Sequence, residues 1–290
     1  MQHRTALIAL HLGALLFGLS GIFGKLALAA PVVIVFGRAL FAVAALAPFA
    51  RPSATQTRPS WQRRLALAGI GLLLGGHWWS FFIAVKVSGV AVATLGFASF
   101  PAFTVLLEGL LFKERVRRSE WAVVTLVCLG LVLVTPNFDF NDQATLGLGW
   151  AVLSGLLFAL VSLSNRATTR DLNPAQAALW QNISILLCSL PFAWSLLPEV
   201  RALDWLWIGL LGVLCTALAH SLFVASLRTL NARSASLVFA LEPVYGIVFA
   251  WWLFHEQPGL RMLCGGALIV LATLISARMS RHGPSVEDLG

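Results

Sequence analysis

The sequence predicts an all-α integral membrane protein, with ten transmembrane helices in two inverted five-helix repeats. Three observations carry this reading. The 290 residues are 59% hydrophobic and only 11% charged, against roughly a quarter charged in soluble proteins, so part of the surface must face lipid. The apolar residues fall in ten runs, each near the roughly 17–25 residues a spanning helix needs. The chain also repeats itself. Shifted by 142 residues, 93–114 falls on 235–256 with eight identities and no gap: Ala93/Ala235, Leu95/Leu237, Phe97/Phe239, Ala98/Ala240, Pro101/Pro243, Leu111/Leu253, Phe112/Phe254 and Glu114/Glu256. The matched proline and terminal glutamate mark a duplication rather than shared apolar composition.

The runs lie at about 5–25, 31–50, 65–86, 89–112, 119–135, 146–166, 174–196, 205–227, 233–254 and 259–279. The first has the basic start and apolar stretch of a signal peptide. It continues past Gly24 and has a partner in the second half, so it reads as the first membrane helix. Pro31, Pro174 and Pro258 sit at or just before helix starts, where a missing N–H costs little. The longest loops are 51–64 and 136–145. Residues 1–140 and 141–280 are the two repeats. Residues 281–290 form a polar tail, expected to be disordered and cytoplasmic.

Charge sets the orientation. With the N-terminus and every second loop on one side, that side holds Arg4, Arg51, Arg58, Arg63, Arg64, Lys113, Arg115, Arg117, Arg118, Arg166, Arg170, Arg228, Arg233, Arg278 and Arg281. The other side holds Lys25, Lys86, Arg201 and Arg261, and Arg38 lies inside a run. The positive-inside rule places both termini in the cytoplasm. Five helices per repeat then make the halves cross in opposite senses, a plan of secondary transporters that hold substrate near the midplane. The net charge of +8 points to anionic lipid headgroups, since no domain-sized polar region is present to bind nucleic acid. Cys128, Cys188, Cys215 and Cys264 lie in apolar runs without metal-ligand spacing and read as inert thiols.

The segments ASFPAFTVLLEGLLFKE and ALEPVYGIVFAWWLFHE, the FGK and SNR ends of the first and sixth runs, and GRALFAVAAL in the second resemble the drug/metabolite transporter superfamily, in its ten-helix EamA-type branch. The resemblance spans nearly the whole chain. It implies two inverted repeats around a cavity and export of small metabolites, often amino acids. Within the branch the chain is similar to aromatic amino-acid exporters, although Phe100 and Trp79 stand where a different aromatic is expected.

Several residues can carry the chemistry. Glu242, central in the ninth run and beside Pro243, is a carboxylate at a depth where charge is costly. It binds a substrate ammonium, carries a coupling proton, or is a structural acid paired with Arg38 or His220. Its repeat mate is Phe100. Arg38, whose mate is approximately Gln181, either holds a substrate carboxylate, snorkels, or pairs with Glu242. Pro101 and Pro243 free the carbonyls of Phe97 and Phe239, as cavity-lining kinks or as packing kinks. His77 in the third run should face inward, as a proton-handling or a hydrogen-bonded bundle histidine. Trp78 and Trp79 lie deeper than the belt tryptophans Trp61, Trp121, Trp150, Trp205 and Trp207 and suit an aromatic wall. Phe158, the mate of Phe17, is a cavity-lining or a packing aromatic.

Signals for catalysis are weak. Gly24-Lys25 shares two residues with a phosphate loop, but Leu26 replaces the required Ser or Thr and Leu19 the first glycine. No cofactor or metal is expected, and transport would draw on gradients. The competing readings are efflux of amphipathic cations, and a lipid-modifying membrane enzyme built on His77, His220 and Glu242. An enzyme needs those three groups within reach of one reacting point.

Overall fold

The computed structural model describes residues 3–50, 60–112, 116–135, 139, 141–168, 173–227, 238 and 241–279. Its helices are α1 His3–Leu26, α2 Pro31–Leu46, α3 Trp61–Phe97, α4 Phe100–Phe112, α5 Arg118–Val134, α6 Gln143–Thr168, α7 Pro174–Ala193, α8 Ala202–Gly212, α9 Ala219–Leu227, α10 Glu242–Phe254 and α11 Leu260–Met279. A 3-10 turn, Trp194–Glu199, extends α7, and a π-helical stretch, Val213–Leu218, joins α8 to α9 as one span. The tail from 280, Phe239, residues 51–59 of the first long loop and residues 136–138 and 140 of the second lie outside the described residues.

Local chemistry explains the helix starts. Pro31 and Pro174 open α2 and α7. Asn173 Oδ1 accepts the Ala175 N–H at 3.0 Å, and Ser60 Oγ accepts the Arg63 N–H at 3.3 Å, each filling a donor the helix leaves free. The Glu120 carboxylate accepts the Arg117 N–H at 2.6 Å.

α3 holds two spans. Twenty residues of unbroken helix would separate His77 from Phe97 by about 30 Å, yet their rings are 5.1 Å apart. The chain turns back at Gly89, whose φ of 85° suits glycine and strains other residues. The third and fourth runs of the sequence thus form a helical hairpin, as their separation at 86–89 predicts.

The prolines act differently from the expectation of mid-helix kinks. The helix that returns from Gly89 stops at Phe97, and Ala98 (φ −65°, ψ 4°) leaves helical geometry. A new helix starts at Phe100, with Pro101 second. α10 likewise starts at Glu242, with Pro243 second. A proline at that position needs no N–H partner, so each proline opens a half-helix. The Phe97 carbonyl that Pro101 frees packs on Gly155 of α6, where a Cβ would lie 2.9 Å from it.

The largest helix interfaces pair the first repeat with the second: α3 with α6 and α7, α2 with α7, α1 with α9 and α10, and α5 with α11. The main core, which includes Phe36, Trp78, Phe81, Phe82, Phe97 and Ile208, spans this seam. The repeats interlock rather than sit side by side. Trp61 and Trp121 are more than half exposed, as membrane-surface anchors would be. Trp205 and Trp207 instead pack inward on Phe41 and Phe23.

Candidate functional site

Two groups of side chains lie at the seam, built on the neighbouring α3 residues Trp78 and His77. The first is built on Arg38. α2 approaches α8 closely because Gly37 and Gly212 carry no side chains. A Cβ at Gly37 would lie 2.4 Å from Ile208 Cγ2, and one at Gly212 would lie 2.7 Å from the Arg38 carbonyl oxygen. Arg38 is therefore buried, at 5% exposure, and does not snorkel. Its guanidinium lies 3.9 Å from the Trp78 ring centroid and 5.9 Å from that of Phe82, a cation–π arrangement that partly replaces lost hydration. Arg38 Nε donates to Thr216 Oγ1 at 2.9 Å. The Thr216 hydroxyl, in the π-helical stretch, donates to the Leu211 carbonyl of α8 at 3.0 Å, five residues back.

Glu242 is close enough that its charge and that of Arg38 interact, but among the described residues no direct salt bridge joins them. Glu242 is the first residue of α10, where the positive end of the helix dipole favours a carboxylate. α1 closes on this point. A Cβ at Gly18 would lie 2.9 Å from the Glu242 carbonyl oxygen.

The second group is aromatic. The His77 ring lies 5.1 Å from Phe97 and 5.0 Å from Phe158. Phe158 in turn lies 5.3 Å from Phe97 and 5.2 Å from Phe100. His77 Nδ1 sits 2.7 Å from Ser154 Oγ and 3.1 Å from the Ser154 carbonyl oxygen. With the proton on Nδ1 the ring donates to Ser154; with it on Nε2 the Ser154 hydroxyl donates to the ring, so Ser154 holds the imidazole in either tautomer. Phe100 opens α4 beside this cluster, as Glu242 opens α10, so both half-helix starts lie at the seam.

Of the residues singled out in the sequence, the structure brings together His77, Phe97, Phe100 and Phe158 in one cluster and Arg38 and Trp78 in the other, with Glu242 within electrostatic range of Arg38. Trp79 is not with them. It is 50% exposed on the outside of the bundle, because one residue along a helix turns the side chain by about 100°. Gln181 pairs with Asn165, Nε2 to Oδ1 at 2.7 Å, and so serves the α6–α7 contact. No hydrogen bond joins any two of His77, His220 and Glu242 among the described residues. Also among these residues, no group of three or more His, Cys, Asp or Glu could hold a metal ion. Ser154 and Thr216 were not evident from sequence, since lone hydroxyls in apolar runs usually bond back to their own helix.

A separate polar layer lies at the end of the bundle where the charge is sparse. Glu256 Oε1 accepts from Lys25 Nζ at 2.5 Å and from the Val90 N–H at 3.1 Å, and Oε2 accepts the Ala91 N–H at 3.1 Å. Lys86 Nζ donates to the Ala27 carbonyl. Asp204 accepts the Leu28 N–H at 2.8 Å and pairs with Arg201 through both oxygens. A cavity of about 390 Å³ opens beside Lys25, Gly89 and Glu256.

The signature of the EamA-like transporter family matches this chain twice, over residues 4–135 and 145–278. A transporter of Archaeoglobus fulgidus, described as uncharacterized, is 26% identical over 69% of this chain and 71% of its own length. The S-adenosylmethionine uptake transporter of Rickettsia prowazekii is 24% identical over 72% of this chain and 69% of its own. A crystal structure aligns with 97% of this chain and 100% of its own, at a TM-score of 0.66 and 18% identity, which shows a shared fold. The two family matches account for the two five-helix halves, and the chain belongs to the EamA-like transporter family.

Proposed function

We propose that the protein is a secondary transporter of the bacterial inner membrane that exports small zwitterionic metabolites by alternating access. Amino acids with aromatic or bulky apolar side chains are its leading substrates. One observation carries this reading: Arg38 and Glu242 are opposite charges at the inter-repeat seam that are not paired directly, next to the aromatic cluster of His77, Phe97, Phe100 and Phe158. Arg38 suits a substrate carboxylate, Glu242 a substrate ammonium or a coupling proton, and the rings an apolar side chain. Buried ionisable groups in a membrane protein usually face a pathway or a partner. In this reading both termini are cytoplasmic, and anionic lipid headgroups meet the arginine-rich face. Lys25, Lys86 and Glu256 mark the outer face.

The test is flux from proteoliposomes preloaded with labelled phenylalanine, threonine or glucose, with and without a pH gradient. Saturable efflux of phenylalanine competed by other aromatic amino acids supports the reading, and no amino-acid flux from folded protein overturns it. Glu242→Gln is expected to lower flux about tenfold or more, as loss of a charge-assisted contact implies, and to remove any response to the pH gradient while the protein stays monodisperse. Flux that is unchanged at every pH would take Glu242 out of the site.

A second reading is favoured by the same groups. S-adenosylmethionine, the solute named for the Rickettsia relative, combines an amino-acid zwitterion with a flat ring and a sulfonium cation, which aromatic faces and Glu242 would hold. Labelled S-adenosylmethionine in the same assay, offered from either side, separates the two. Uptake of an amphipathic cation that lacks a carboxylate, with phenylalanine inert, would point to cation efflux.

A further inference from the structure

We propose that Glu256 and Lys25 form a latch that closes the outer end of the transport pathway, resting on the transporter reading above. Glu256 belongs to the second repeat, and everything it grips belongs to the first. Its carboxylate holds Lys25 at the end of α1 and the amides of Val90 and Ala91, the start of the helix that descends from Gly89. An anion at a helix start meets the positive end of the dipole and satisfies donors the helix leaves free. One group therefore serves a cation and a helix end, and both lose it together if the repeats part here.

The local backbone is built for this contact. Gly89 has φ 85°, and any side chain there would meet the carboxylate, since a Cβ would lie 2.9 Å from Glu256 Oε1. His255, just before Glu256, adopts φ 54°, a left-handed conformation that costs a non-glycine residue energy and persists where the surroundings require it. That turn ends α10 and delivers Glu256 across the seam. Lys25 Nζ also lies 4.5 Å from the Phe254 ring centroid. The side chains of Lys25 and Glu256 remain 32% and 19% exposed. Partial hydration keeps the pair weak enough to open, whereas a fully buried pair would resist separation far more strongly. The adjoining cavity of about 390 Å³ gives the parting groups somewhere to hydrate.

The test measures access to the seam, which needs no substrate. Thr94 lies one turn below Ala91, is 4% exposed, and faces α10, where a Cβ at Gly246 would lie 3.5 Å from its hydroxyl. In a background with Cys128, Cys188, Cys215 and Cys264 replaced by serine or alanine, Thr94→Cys is labelled in intact cells with a membrane-impermeant maleimide. Glu256→Ala is expected to raise the labelling rate about tenfold or more, a population shift of the size one strong contact can cause. Lys25→Met should raise it less, because the amide contacts survive. Glu114→Gln, at the repeat-equivalent position on the opposite face by sequence, should not raise it. Unchanged labelling in Glu256→Ala overturns the latch, provided the unfolded protein labels fully. So does labelling that rises only when reagent reaches the cytoplasmic face. If Glu256→Ala is not monodisperse, the milder Glu256→Gln carries the same expectation. The two ideas fail separately. A wild-type protein that moves no solute removes the transporter reading, while unchanged access with normal flux removes only the latch.

Discussion

Arg38→Met, combined with Glu242→Gln, yields a folded protein that no longer moves its substrate. Arg38 stacks on Trp78 and bonds Thr216, and its charge offsets that of Glu242. Removing Arg38 alone takes an opposite charge away from the Glu242 carboxylate and the Nε donor away from Thr216, which lowers stability. Removing both charges with side chains of similar volume costs less stability than removing Arg38 alone, because neither charge is then left without its opposite. A purely structural pair therefore predicts an active double variant. A substrate site predicts one that is stable and inactive, with flux down about 100-fold or more, since truncating one partner of a buried charge contact costs about 2–5 kcal/mol. Melting temperature in detergent and flux in proteoliposomes, measured on the same preparations, separate the two. Arg38→Lys keeps the charge but loses the planar stack and the fork that fits a carboxylate, and should recover stability more than flux.

Gly130→Leu should be the most damaging single change to the bundle outside the site. α5 and α11 touch backbone to backbone there. A Cβ on Gly130 would lie 2.8 Å from the Gly265 carbonyl oxygen, and one on Gly265 would lie 2.6 Å from the Gly130 carbonyl oxygen. Membrane helices pack through such close approaches because lipid supplies no hydrophobic force between them. Backbone cannot move aside as a side chain can, so the helices must separate, at a cost of about 1–3 kcal/mol or more. Gly69→Leu is the matched control. It adds the same side chain to a membrane helix, but nothing lies within 4 Å of a Cβ at Gly69. A melting temperature that falls for Gly130→Leu and holds for Gly69→Leu is the expected result. Equal effects would mean that added bulk, not this crossing, governs stability.

Much of the fold was legible in the sequence because the bilayer imposes it. Run lengths gave the spans, and the break at 86–89 separated two runs that the structure folds back on each other. The pairs Pro101/Pro243 and Glu114/Glu256 exposed the duplication. Arg38, His77 and Glu242 could be singled out because a charged or titratable group in an apolar run has few comfortable positions. Helix rotation was not legible. Trp78 and Trp79 are neighbours with opposite fates, and in helices apolar on every face no periodicity says which one points inward. The half-helix starts were half visible. The prolines marked them, but a kink and a break carry the same sequence signal. The partners of Glu256 were hidden, because it binds backbone amides, which every residue but proline owns.

The interlocking of the repeats also bears on biogenesis. α1, α2, α3 and α5 find their largest interfaces with helices from the second half, so the first five spans enter the membrane before their main partners have been synthesised. Until then their glycine-lined and polar faces have only lipid or one another to meet. Gly37, Gly71 and Gly130, whose added side chains would strike α8, α7 and α11, wait for surfaces translated later. The finished bundle is therefore assembled by docking of pre-inserted helices after synthesis, and a chain cut between its halves yields two pieces that must find each other in the bilayer.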